Sequence, residues 1–267
     1  MQSFVALSSD NADDLAERGT GLKDYTFVAP TAAEVDTAAI AVRSCSGLPV
    51  TFLRGMPVAP EISGRRVVHL VLKRAMDIIL GLAALLALGP FLLATAIIIR
   101  ATSKGPALFR QDRDGLNGAV ISVYKFRSMH TELGDASGVQ QTRAGDSRIT
   151  PFGRFIRRTS IDELPQLLNV IKGDMSLIGP RPHPIGMLAS GEPYETVVPY
   201  YHARHVMRPG ISGWAQANGL RGPTTDSDVA RARVDHDLAY IQNFSVLLDI
   251  KIIIRTVIRE FVTGSGL

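Results

Sequence analysis

The chain has 267 residues, enough for one sizeable domain with an appendage or at most two small ones. With 29 basic against 25 acidic residues, a formal net charge of +4 is too small to argue for nucleic acid as a partner. The one cysteine, Cys45, excludes an intramolecular disulfide and any cysteine-based zinc cluster.

Residues 1–66 hold six basic and eight acidic residues, so the positive excess belongs to residues 67–267. The first segment has no basic start followed by an apolar run, and a secretory signal peptide is not expected. Small residues, prolines and scattered charges, as in "VAPTAAEVDTAAIAV" and "GLPVTFLRGMPVAPEISG", sustain neither a helical nor a strand period. Residues 1–66 therefore read as a variable, mostly disordered tail, with at most a short helix around Ala32 to Val42. Residues 67–267 read as one membrane-anchored domain.

The strongest physical signal is "LKRAMDIILGLAALLALGPFLLATAIIIRATSKG". Ile78 to Ile99 is a run of 22 uncharged residues, about 33 Å as a helix, which is long enough to cross a hydrocarbon core. Gly89-Pro90 lies in its middle, where proline removes the bond to the carbonyl of Leu86 and predicts a kink. Both flanks are basic, Lys73 and Arg74 before and Arg100, Lys104 and Arg110 after, so the positive-inside rule does not assign them to opposite faces. A re-entrant helix that turns at Gly89-Pro90 and leaves on the side it entered meets both observations; an ordinary span is the competing reading.

Further on, β-branched and aromatic residues on either side of "DGLNG" predict a hairpin running into Lys125 and Arg127. "DSRITPFGRFIRRTSIDELPQLLNVIKGDMSLIGPRP" predicts two short amphipathic helices, separated near Thr159 and ending at Lys172-Gly173. Arg154, Arg157, Arg158, Arg181, Arg204 and Arg208 are more cations than solubility requires, and a cluster of guanidinium forks suits diphosphate oxygens. There is no GxxxxGK[ST] and no GxGxxG between a strand and a helix. Near the end, Val246, Leu247, Ile250, Ile254, Val257, Ile258 and Phe261 share one face beside a stripe of Lys251, Arg255 and Arg259. That is the pattern of a helix lying in the membrane interface with basic side chains reaching toward headgroups, or of a core helix with one wet edge.

"SIDELPQ" sets Asp162 and Glu163 among these arginines. Ser160 and Glu163 fit a capping box, but Pro165 would then stand where an amide is needed; with Asp162 as the cap nothing is lost. A carboxylate at such a helix start stays ionised, available as a nucleophile toward phosphorus or as a ligand for Mg2+.

From Lys73 to Ile258 the chain resembles the bacterial sugar transferases, the monotopic polyprenyl-phosphate phosphoglycosyl transferases that start exopolysaccharide and O-antigen units. The resemblance rests on "KRAMDIILG", "PALFRQDRDGLNG", "YKFRSM", the arginine-rich stretch through "SLIGPRP", "RPGISGWAQANG" and "DLAYIQNFSVLLDIKIIIRT", in one fixed order. It implies an α+β, predominantly helical, membrane-associated domain with a Pro-broken re-entrant helix, a small β-hairpin and an interfacial amphipathic helix. The implied reaction passes a sugar 1-phosphate, a hexose, from a UDP-sugar to undecaprenyl phosphate with release of UMP, assisted by Mg2+, at the cytoplasmic face of the bacterial inner membrane. Carried onto this chain, Asp162 is the nucleophile and Glu163 a metal ligand or an aid to proton handling. Lys125, Arg127, Arg158, Arg181 and Arg208 bind substrate phosphate, and Asp237 is a further candidate. At the break the family often has Ser-Pro where this chain has Gly89-Pro90. A metal-dependent polyprenyl-diphosphate hydrolase and an inactive scaffold of the same fold are the rival readings. A zinc site at His202, His205 and His236 has no HExxH pattern behind it.

Overall fold

The computed structural model describes residues 40–60, 63–132 and 145–263. The first elements stand where the sequence predicts a tail. Strands β1 (Ile40–Cys45), β2 (Leu48–Leu53) and β3 (Met56–Pro57) form an antiparallel meander. Its two turns, Ser46-Gly47 and Arg54-Gly55, all take positive φ, as two-residue hairpin turns of the right hand require. Cys45, Val50 and Phe52 are buried in the main core, so the disordered reading is wrong over this stretch. The segment folds because it borrows a core rather than supplying one. The remainder of the expected tail, residues 1–39, and most of the expected helix at 32–42 lie outside the described residues; Ile40 to Val42 are strand.

Helix α1, Gly64–Thr102, is 39 residues long and opens at Ser63, whose hydroxyl accepts from the Arg66 amide at 3.3 Å. Helical bonding is carried across Gly89-Pro90, so the expected break is not an interruption of this element. Its two ends are tied to the same folded body. At one end Lys73 pairs with Asp249 at 2.7 Å and Asp77 accepts from the Ser176 hydroxyl at 2.8 Å. At the other, Ile99 is buried with Phe126 and Ile156. Between them Leu82, Leu86, Phe91 and Leu93 are exposed, Leu86 to 80 %. Among the described residues this is the one helix long and apolar enough to cross a membrane.

The expected hairpin forms from β4 (Leu108–Asp114) and β5 (Val120–Phe126), with Asn117 and Gly118 at positive φ in the turn. Helix α2, Pro151–Arg158, is capped by Thr150, whose hydroxyl accepts from the Gly153 amide. A 3₁₀ segment, Ile161–Gln166, and helix α3, Leu167–Lys172, follow, and α3 ends at Gly173 with φ +94°. Next come β6 (Ser176–Ile178), the small hairpin of β7 (Leu188–Ala189) and β8 (Glu192–Pro193), and helix α4 (Tyr194–Val197). Strand β9 (Gly210–Ser212) lies parallel to β6. Gly179 and Gly210 meet so closely that a Cβ on either would collide with the other's backbone, which fixes the "GPRP" loop against "RPG".

Helices α5 (Trp214–Ala217), α6 (Ser227–Gln242) and α7 (Val246–Thr263) complete the chain. The main core gathers Trp214, Tyr194, Tyr201, Val234, Leu238 and Ile252 beneath the meander. On α7, Leu247, Ile250, Ile254, Val257 and Ile258 are exposed, as an interfacial face requires. In the basic stripe, Lys251 and Arg255 lie over the Trp214 ring at 5.8 and 5.6 Å and are both exposed. Phe261 lies outside the described side chains.

Candidate active site

Three elements bring charge to one place. β5 delivers Lys125, the 3₁₀ segment delivers Asp162 and Glu163, and the loop after β6 delivers Arg181. All four line a cleft of about 970 Å³.

The local backbone settles the capping question against both readings. Ser160 is in the left-handed region, φ +55°, and its side chain caps nothing. The Glu163 amide bonds the Ser160 backbone oxygen instead, at 3.2 Å. Pro165 cannot donate, so regular α-helix begins only at Leu167, after it. Holding a non-glycine residue left-handed costs about 1–2 kcal/mol, and here that strain sits immediately before the carboxylates.

The two acids are treated differently. Glu163 takes Lys125 Nζ on Oε1 at 2.8 Å, and Arg181 as a fork, Nη2 to Oε1 at 2.5 Å and Nη1 to Oε2 at 3.2 Å. Burial pushes the Glu163 carboxyl up, but Arg181 and Lys125 outweigh it and hold it well below the usual range. Asp162 is 8 % exposed, and no hydrogen bond reaches its carboxylate from another described residue. Burial pushes it up to about 6, with the Glu163 charge adding and Lys125, Arg157 and Arg181 opposing. One carboxylate is thus locked to its partners, and its neighbour is left available at a pH near neutral.

The other expected phosphate ligands fare unevenly. Arg127 borders the cleft, but its Nη2 donates to the Ser103 carbonyl at 2.8 Å and the Ser103 hydroxyl at 2.9 Å, closing the C-terminus of α1. Arg158 is exposed and away from the cleft, whereas Arg157, one residue and about 100° earlier on α2, lines it. Arg208 is exposed too, and its Nε donates to the Gly173 carbonyl at the end of α3. Asp237 is 1 % exposed and pairs with the equally buried Arg204 at 2.6 Å. Arg204 in turn donates to the Arg181 backbone oxygen, so Asp237 supports the loop from beneath.

Sequence reasoning missed Arg113 and Arg233, which both border the cleft. Arg113 donates to the Pro182 carbonyl and to Gln111, and burial pushes its guanidinium down to about 10. Its signal was its place on a hairpin strand facing the "GPRP" loop, visible only once the strand register is known. No three histidine, cysteine or acidic side chains gather as a metal cage among the described residues, the three histidines included. Glu163 Oε1 accepts from Lys125 and Arg181 and Oε2 from Arg181, so a Mg2+ ion held by Glu163 would share that carboxylate with them.

A model of a family described as bacterial sugar transferase matches residues 68–263. An exopolysaccharide production protein of Rhizobium leguminosarum bv. phaseoli is 57 % identical over 197 residues, 74 % of this chain and 98 % of that one. An undecaprenyl-phosphate glucose phosphotransferase of Komagataeibacter xylinus is 44 % identical over 96 % of this chain. A UDP-glucose:undecaprenyl-phosphate glucose-1-phosphate transferase of Escherichia coli K12 is 45 % identical over 80 % of it. The matches span 47 % and 46 % of those last two proteins, about half their length.

Proposed function

The chain belongs to the bacterial sugar transferase family, and we propose that it moves a hexose 1-phosphate from a UDP-sugar to undecaprenyl phosphate, releasing UMP. The observation that carries this reading is the divided pair, Asp162 available and Glu163 held by Lys125 and Arg181. The names of two relatives make UDP-glucose the first substrate to test.

The chemistry runs in two displacements. An Asp162 carboxylate oxygen attacks the sugar-bearing phosphorus; a phosphorus–oxygen bond forms, the bond to the bridging oxygen breaks, and UMP leaves with that electron pair. A phosphate oxygen of the lipid then attacks the same phosphorus, and the bond to Asp162 breaks, regenerating the carboxylate. A carboxylate must be ionised to attack, and the position of Asp162 near 6 leaves it so at neutral pH. Arg157 and Arg181 border the same cleft and offset charge on the departing phosphate by position alone. Glu163 fixes Lys125 and Arg181 in place for that task. Mg2+ held beside Glu163 would supply further neutralisation of the diphosphate charge.

The same reading places the protein on the cytoplasmic face of the inner membrane, with α1 re-entrant. A span leaves its two ends about 30 Å apart across hydrocarbon, whereas Lys73 and Ile99 are both bound to one folded body. Leu82, Leu86 and Leu93 then face lipid.

The test is UMP release from a panel of UDP-sugars, with and without undecaprenyl phosphate. Stoichiometric release without lipid and turnover with it are expected; inorganic phosphate in place of UMP would favour a hydrolase.

A further inference from the structure

The reaction brings two phosphates to Asp162 in turn, one on a water-soluble nucleotide and one on a long apolar chain. The lining of the cleft described above suits the first. A second, shallower groove of about 700 Å³ runs along the outer side of α7, floored by Leu247, Ile250, Ile254 and Ile258. These side chains are 42–76 % exposed, far more than a core helix allows.

Of the stripe of three cations beside this groove, Lys251 and Arg255 are held over Trp214, while Arg259 lies farther along at the junction. Arg259 borders both the groove and the cleft, and its Nη1 reaches the Ala217 carbonyl at 3.4 Å. Thr256, one turn earlier, also borders the cleft. A second observation concerns the same spot. Gly219 has φ +92°, and a Cβ there would stand 3.1 Å from both Arg259 terminal nitrogens. The loop after α5 thus leaves room for that guanidinium.

Resting on the transferase reading, we propose that the α7 groove receives the chain of the acceptor lipid and that Arg259 binds its phosphate, delivering it to the cleft. An apolar floor suits an isoprenoid, and a cation at the end that opens on the cleft suits its monophosphate headgroup. Continuity of the groove with the cleft is what singles out the acceptor over a bulk bilayer lipid, whose headgroup has no reason to reach Asp162.

The test uses the full chain in phosphatidylcholine nanodiscs, with UDP-glucose and undecaprenyl phosphate, and reads the two half-reactions apart. For Arg259→Gln the KM for undecaprenyl phosphate should rise about tenfold, the worth of a charged hydrogen bond. Single-turnover UMP release without lipid should stay within about twofold of the unaltered protein. Arg259→Lys should recover part of the loss. Ile254→Gln, on the exposed face, should raise the same KM and serves should Arg259→Gln fail to fold. Equal loss in both half-reactions, an unchanged lipid KM, or a KM shift that disappears once membrane-bound protein is equalised would overturn the assignment. The last outcome would make Arg259 a bilayer contact. Absence of UMP release by the unaltered protein from every sugar of the UDP-sugar panel would instead refute the transferase reading, and the proposal with it.

Discussion

At Asp162 structure and reactivity pull in opposite directions. Its carboxyl is raised to about 6 from the ordinary 3.9, so ionisation is harder in the folded protein than in the unfolded chain. The stability this costs is absent below about pH 4, grows between about pH 4 and 6, and is complete above that. Asp162→Asn should therefore raise the Tm at pH 7.5, with the gain shrinking as pH falls toward 4, while turnover drops by about 10³-fold or more. A lower Tm at pH 7.5 would contradict the raised carboxyl. In the unaltered enzyme, single-turnover rate should fall with pH through an acid limb near 6. Glu163→Gln removes a like charge and frees Lys125 and Arg181, so that limb should move to lower pH; movement upward would mean Glu163 does not act on Asp162 through charge. The dyad itself was legible from two acids among arginines. Lys125 and Arg181 were legible as well, but the choice between neighbours on α2 was not: Arg157 and Arg158 are equivalent in a string of letters, and only the face that α2 buries distinguishes them. Arg127 and Arg208 donate to carbonyls at helix ends in this structure, a competition that sequence does not reveal because such ends have no address in it.

Among the elements, α1 carries the most. Its apolar run was legible, but not its start at Gly64, inside the expected tail, nor the polar ties that fasten it. Lys73 and Asp249 are 176 positions apart, and their side chains are 6 % and 0 % exposed. Lys73→Met leaves Asp249 buried and uncompensated, a loss of about 3–5 kcal/mol by unfolding measurements, and Lys73→Met with Asp249→Leu should recover much of it. A double variant as unstable as the single would show that the pair is not the tie. The same helix decides topology. Cysteines at positions 73 and 104 should be labelled from one side of the membrane once the protein is opened enough to expose them, and labelling from opposite sides would establish a span.

For the whole molecule, the meander changes what counts as the folded unit. Short strands look like a tail when nothing shows what they pack against. Only the fold reveals that Trp214 Nε1 donates to the Cys45 carbonyl at 2.8 Å and that Gln242 bonds Thr51 and Val58. Phe52→Ala should cost about 3–5 kcal/mol, and removal of residues 1–60 should lower Tm and activity together; a truncated protein of unchanged Tm would return this segment to the tail reading. The account as a whole stands on a covalent step at Asp162. The most direct measurement is intact-mass and peptide analysis of the protein after UDP-glucose is supplied without undecaprenyl phosphate. Added mass of one hexose phosphate on the peptide containing Asp162, discharged by undecaprenyl phosphate and missing in Asp162→Asn, is the predicted result. The same label on Asp162→Asn would place the nucleophile elsewhere.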